Sequence, residues 1–181
     1  MTEADKKKDL AVAHGAPRDG GMKVHLFPPG HFMGSSLATV VLGTFSLGGD
    51  RMRIRSSPNG QIDWGMAVTG LACFGGAVTL FRKSVATFKK HQTPVPHGYK
   101  VSTIVSEGVF SYTRNPIYVA MVTGVLSLGV ATNTLWGAVA ASYLAGAIGF
   151  FVIPFEEAYL TEQFGQTYED YKAKVPRWIL F

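Results

Sequence analysis

Between Asn115 and Phe155 the chain runs for 41 residues without an Asp, Glu, Lys or Arg. A soluble domain of this size has no place for such a run, because each of its helices needs a polar face. The run is also too long for one membrane crossing, since a hydrocarbon core about 30 Å thick takes about 20 helical residues. Its polar break at Thr132-Asn133-Thr134 divides it into two spans, about 116–132 and 135–155, joined as a tight helical hairpin.

Two further charge-free intervals have the same character. Trp64 to Phe81 holds 18 uncharged residues between Asp63 and Arg82-Lys83, which reads as a span over 64–81. Val24 to Gly49 is also uncharged, with its apolar heart at Met33 to Leu47 and a helix-breaking Pro28-Pro29-Gly30 before it. It reads as a short span over about 31–48. Charged residues make up only 16% of the chain, against about 25% in a soluble domain, as expected if much of the surface meets lipid. The expected fold is therefore all-α: a polytopic membrane protein of about four transmembrane helices.

Four spans put both termini on one side, and the basic residues say which. The segment before the first span, the loop 82–114 and the tail 156–181 together hold 14 Lys and Arg, whereas the opposite face has only Arg51, Arg53 and Arg55. By the positive-inside rule both termini are cytoplasmic, in an inner or cytoplasmic membrane or an endomembrane. Residues 1–23 mix acids with bases and lack an apolar run, so they read as a mobile polar arm rather than a signal or transit peptide, ahead of one membrane domain over 24–181. The basic residues are explained by topology, which leaves no case for nucleic-acid binding. Cys73 is the only cysteine and excludes an internal disulfide, and the five histidines are scattered without metal-ligand spacing. No G-x-G-x-x-G motif follows a strand-like segment, so a nucleotide-containing cofactor would need something other than a Rossmann crevice.

Within the spans, Gly137, Ala141, Ala145 and Gly149 recur every four residues, a stripe over which another helix can approach closely. Ala72 and Gly76 share that spacing and read as packing, or, with Gly75, as a place for a cofactor to approach the backbone. Chemistry is concentrated in the cytoplasmic segments. Pro94, Pro96, Gly98 and Gly108 punctuate the loop, and Arg114 stands just before a helix opening with Asn115-Pro116. Pro116 suits a first-turn position with Asn115 as candidate cap. A helix start beside a guanidinium suits an anion, and on spacing alone Arg114 reads equally as a snorkelling anchor. At the far end of the hairpin Glu156-Glu157 abut the hydrocarbon edge, where carboxylates need a ligand or a partner such as Arg114. Leu160, Phe164, Tyr168, Tyr171 and Val175 then repeat at helical spacing and predict a C-terminal amphipathic helix.

These motifs taken together resemble a known family. Gly108-Val109-Phe110-x-Tyr112-Thr113-Arg114-Asn115-Pro116-x-Tyr118, then Glu156-Glu157-x-x-Leu160, then Phe164-Gly165-x-x-Tyr168-x-x-Tyr171, ending Val175-Pro176-Arg177-Trp178, are similar to the isoprenylcysteine carboxyl methyltransferase and phospholipid methyltransferase superfamily. The resemblance covers about residues 27–179. It implies a membrane-embedded methyltransferase that uses S-adenosylmethionine. It also implies cofactor-binding roles for Gly108, Arg114, Asn115, Pro116, Tyr118, Glu156, Glu157 and Leu160, with Tyr168 and Tyr171 on the tail motif, and catalytic roles for Arg114, Glu156 and Glu157. The chain departs from the family pattern at Asn115, where many members have His, at Ser111, where a basic residue is common, and at Ala120, where Gly is usual.

Methyl transfer from a sulfonium is an in-line displacement, so the protein's main task is alignment and exclusion of water. A carboxylate acceptor is already ionised at neutral pH and needs a cation such as Arg114 to orient it. A phospholipid amine must first lose a proton, for which Glu156 or Glu157 is the available base. The expected partners are the bilayer and a lipid-like or prenylated acceptor entering from it. The resemblance leans towards protein-S-isoprenylcysteine O-methylation, with phospholipid N-methylation as the alternative. A different reading keeps the fold but makes the chain a structural subunit of a membrane complex, with further membrane partners.

Overall fold

The computed structural model describes residues 28–44, 53–54, 62–91 and 103–179. The expected polar arm 1–23, the end of the first expected span at 45–48, and Pro94, Pro96 and Gly98 lie outside them. Among the described residues the chain is all-helical. In order come α1 (Pro28–Thr44), α2 (Trp64–Lys90), a short 3₁₀ helix (Gly108–Ser111), α3 (Pro116–Ala131), α4 (Trp136–Phe151), α5 (Ile153–Phe164) and α6 (Gln166–Lys174).

Each start has a local cause. Pro28 and Pro29 occupy the first turn of α1, where a missing N–H costs nothing. Asp63 caps α2 by accepting from Met66 N at 3.1 Å. At the other end of α2, Lys89 and Lys90 face the negative pole of the helix dipole. The helix is 27 residues long, about 40 Å, so it outruns the expected span 64–81 by more than two turns. Hydroxyls inside the helices donate to carbonyls one turn back: Thr69 to Gly65 O, Thr79 to Gly75 O, Ser84 to Leu80 O and Ser127 to Thr123 O. That internal pairing lets Ser and Thr sit in helices with no water to satisfy them.

The hairpin turn is tight. Asn133 adopts φ +55, Thr134 N donates to Gly129 O at 2.8 Å, and Asn133 O accepts from Ile54 N at 3.3 Å. At its base Gly129 and Gly137 meet backbone to backbone, and a Cβ on either would strike the other's Cα. The core lies between α3 and α4, where Tyr118, Met121 and Val125 face Ala141, Leu144 and Ile148 at the three- and four-residue spacing of a single helix face. Phe32 of α1 and Trp178 of the tail close its sides.

Several expectations shift in detail. On α2 the small residues that allow close approach are Gly70, Ala77 and Ser84, seven apart and buried; Gly70 lies against the backbone of Ala131. Ala72, Gly75 and Gly76 face outward instead. On α4 the stripe is divided: Gly137 and Ala141 are buried in the hairpin, whereas Gly149 faces Trp178. The fourth expected span breaks at Val152, because Pro154 has no N–H to give to Phe150 O and crowds the preceding turn. The expected single amphipathic helix is divided into α5 and α6 at Gly165, whose φ of +52 a glycine adopts without strain.

The helical runs Trp64–Lys90 and Trp136–Phe164 are long and apolar enough to cross a membrane. Only 11% and 28% of their most apolar windows are buried, which separates them from the core helices of a soluble protein. Val68, Leu71, Val78 and Phe81 on α2, and Val139, Phe150 and Phe151 on α4, are among the large apolar side chains left facing outward, a surface suited to lipid.

Candidate functional site

The turn before α3 and the first turns of α5 come together at one end of the core. Thr113 and Pro116 are buried. Asn115 does not cap α3: its Nδ2 donates to Arg177 O at 3.0 Å, and Thr113 Oγ1 donates to the same carbonyl at 2.9 Å. With Arg114 N donating to Pro176 O at 2.9 Å, the turn clasps the main chain of the C-terminal segment.

This clasp orients Arg114 towards α5. Its Nη1 donates to Glu157 Oε1 at 2.7 Å, with the two side chains only 11% and 12% exposed. Arg177 grips the same carboxylate from the tail, Nε to Oε1 at 3.1 Å and Nη2 to Oε2 at 2.5 Å. That ion pair holds the Arg177 guanidinium above its ordinary range. The neighbouring carboxylate, Glu156, stands in the first turn of α5 and accepts from Tyr118 Oη of α3 at 2.9 Å. Arg114 Nε is buried with no hydrogen-bond partner. A buried donor left in that state is costly, and an anionic group beside it would satisfy it.

Two tyrosines of α6 complete the wall. Tyr168 is buried; burial, and then the Glu157 carboxylate, raise its phenol above the ordinary range, while Arg114 draws it down. Tyr171 is raised by burial and by Tyr168, and donates to Phe110 O at 2.8 Å. Both therefore stay protonated at neutral pH. Phe110 packs against Phe88 of α2 with ring centroids 4.7 Å apart, which ties the C-terminal end of α2 to the site.

Of the residues singled out in the sequence, Arg114, Tyr118, Glu156, Glu157 and Tyr168 form one polar cluster. Asn115, Pro116 and Tyr171 hold backbone around it. Gly108 opens the 3₁₀ helix at φ +60, and its carbonyl accepts from Ser111 Oγ at 2.7 Å. It is joined to the cluster through Phe110 and Tyr171 rather than directly. Leu160 is half-buried on α5, one turn beyond Glu156. Sequence reasoning missed Arg177 as a site residue. Its signal was the closing Val175-Pro176-Arg177-Trp178, but the side chain was counted only towards topology.

Fold and site define a helical membrane protein with a buried, charged cluster at one end of its helical hairpin. The chain belongs to the phospholipid methyltransferase family, whose model matches residues 66–167, more than half of its length, and so to the superfamily that also holds the isoprenylcysteine carboxyl methyltransferases. The matched segment contains Arg114, Tyr118, Glu156 and Glu157. Membership makes methyl transfer at a membrane its class of activity. No curated protein matches the chain.

Proposed function

We propose that the protein is an integral-membrane methyltransferase that uses S-adenosylmethionine and methylates a lipid-like or prenylated acceptor, most like an isoprenylcysteine carboxyl O-methyltransferase. In this reading α1 to α4 are four spans of the membrane domain 24–181, both termini are cytoplasmic, and the cluster opens to the cytoplasmic side. The observation that carries it is the buried Arg114 with its unpaired Nε, set between Glu157 and Tyr168. The donor set suits the cofactor. Arg114 offers an N–H to its carboxylate, and Glu156 is a carboxylate suited to its ribose hydroxyls or ammonium. When bound, the cofactor supplies an electrophilic methyl group on a sulfonium.

The chain's own residues orient and exclude water. Glu157 holds Arg114, Tyr118 holds Glu156, and Tyr168 with Tyr171 forms a wall of protonated phenols. Phospholipid N-methylation fits the same cluster. An amine acceptor needs a base, and Glu156 suits that role better than Glu157, whose two oxygens already accept from three guanidinium N–H groups.

Calorimetric titration of the detergent-purified protein with S-adenosylhomocysteine tests the reading. Saturable binding that is lost in Arg114→Ala is expected. A folded wild-type protein that binds none would favour a structural subunit of a membrane complex instead.

A further inference from the structure

One side of α2 is buried and the other faces outward. Gly70, Ala77 and Ser84 are its buried residues; seven apart, they lie along one line of the helix, with Gly70 against the backbone of Ala131 in α3. On the opposite side Trp64, Val68, Leu71 and Val78 are exposed, an apolar surface suited to acyl chains. From Trp64 to Phe81 this stretch measures about 26 Å, close to a hydrocarbon core of about 30 Å.

The same side then changes character. Arg82, Lys83, Lys89 and Lys90 follow, all exposed, and α2 contains no Asp or Glu to balance them. At about 3.6 residues per turn the four cations fall within about a third of the circumference, directly across from the line of Gly70, Ala77 and Ser84. Two cations at a helix exit would be ordinary interfacial anchors. Here the pattern runs further. Headgroups occupy about 5–7 Å beyond the hydrocarbon, which sets Arg82 and Lys83 among them. Lys89 and Lys90 stand about 10 Å further along, within reach of a surface potential that decays over about 8–10 Å. One carboxylate opposes the patch: Glu107 accepts from Lys90 Nζ at 2.8 Å and pairs with His91 Nε2 at 2.9 Å. Among the described residues no carboxylate pairs with Arg82, Lys83 or Lys89.

We propose that this face of α2 binds the headgroup of an anionic phospholipid, with Arg82, Lys83 and Lys89 as its contacts. The occupant follows from position and charge. A face that meets acyl chains over 64–81 has phospholipid headgroups as its neighbours at 82–83, and three unbalanced cations select those of net negative charge. Arg82 can hold a phosphate through two N–H groups, and the lysines add point charges. The inference rests on α2 crossing a bilayer and not on the identity of the methyl acceptor.

The test holds the detergent-purified protein on an affinity resin, washes it in micelles carrying equal amounts of phosphatidylglycerol and phosphatidylcholine with the same acyl chains, and quantifies the lipid retained. Phosphatidylglycerol has neither an amine nor a carboxylate to methylate, so its retention does not report a methyl acceptor. The wild type is expected to retain it about tenfold over phosphatidylcholine at low salt, and the preference is expected to shrink as salt screens the charges. In Arg82→Gln/Lys83→Gln/Lys89→Gln the two lipids are expected to be retained about equally, with an intermediate ratio in Arg82→Gln alone. Unfolding midpoints of the variants are read alongside. The same loss of charge at Lys6, Lys7 and Lys8 is expected to leave the ratio unchanged. Equal retention of the two lipids by the wild type, an undiminished preference in the folded variants of α2, or an equal loss on changing Lys6, Lys7 and Lys8 overturns the proposal. All three outcomes are separate from binding of S-adenosylhomocysteine, which tests the methyl-donor reading.

Discussion

Glu157→Gln strikes the buried ion pair of the site, and its cost follows from the arrangement of charges. The Arg114–Glu157 pair is closed to 2.7 Å with both side chains nearly nine-tenths buried. Removing one partner of a buried pair costs about 3–5 kcal/mol, because the other charge stays behind unpaired. Arg177 is 37% exposed, so water screens its share, and losing that contact adds no more than about 1 kcal/mol. Gln keeps one acceptor oxygen, which places the total near the lower end, about 3 kcal/mol. For a chain of 181 residues that is a fall in the unfolding midpoint of about 6–12 °C. Arg114→Gln is milder, since Glu157 remains in the fork of Arg177. Thermal unfolding of the three proteins in one detergent, followed by circular dichroism, measures this order. A Glu157→Gln midpoint within about 2 °C of wild type, or one above that of Arg114→Gln, would refute the reasoning.

Two further outcomes are expected. Gly129→Ala places a methyl against the Cα of Gly137, whereas a Cβ at Gly146 meets nothing within 4 Å; the first is expected to cost about 1–3 kcal/mol as overpacking and the second to be neutral, read as unfolding midpoints. Glu107 is held below its usual 4.5 by hydrogen bonds from Lys90 and then His91. Its contribution is therefore complete above pH 4.5 and is lost as pH falls through the lower folded value. Glu107→Gln is expected to flatten that acid limb, measured by unfolding midpoints across the interval.

What the sequence made legible was set by charge. The long uncharged runs placed α2, α3 and α4, because a membrane demands such runs irrespective of partners, and Asn133 marked the hairpin turn. The adjacent carboxylates at a helix exit called for a cation, and Arg114 is one of the two that meet Glu157. Spacing failed where the choice depended on a partner's shape. Ala72 with Gly76 and Gly70 with Ala77 are comparable patterns in the sequence, and only the position of Ala131 selects the second. Asn115 read as a cap because it precedes Pro116, but the tail carbonyl of Arg177 competes for its amide. The contact of Arg177 with Glu157 was hidden because it depends on the tail folding back onto a turn more than 60 residues earlier.

The central claim is methyl transfer at the Arg114–Glu156–Glu157 cluster. Its most direct test is to incubate the bilayer-reconstituted protein with S-adenosylmethionine carrying a labelled methyl group, supplying phospholipid vesicles in one arm and a prenylated cysteine in another. The account predicts label in the organic-soluble acceptor of one arm and none with Arg114→Ala. Transfer that persists unchanged in Arg114→Ala, or a folded protein that binds the cofactor yet labels neither acceptor class, would contradict it.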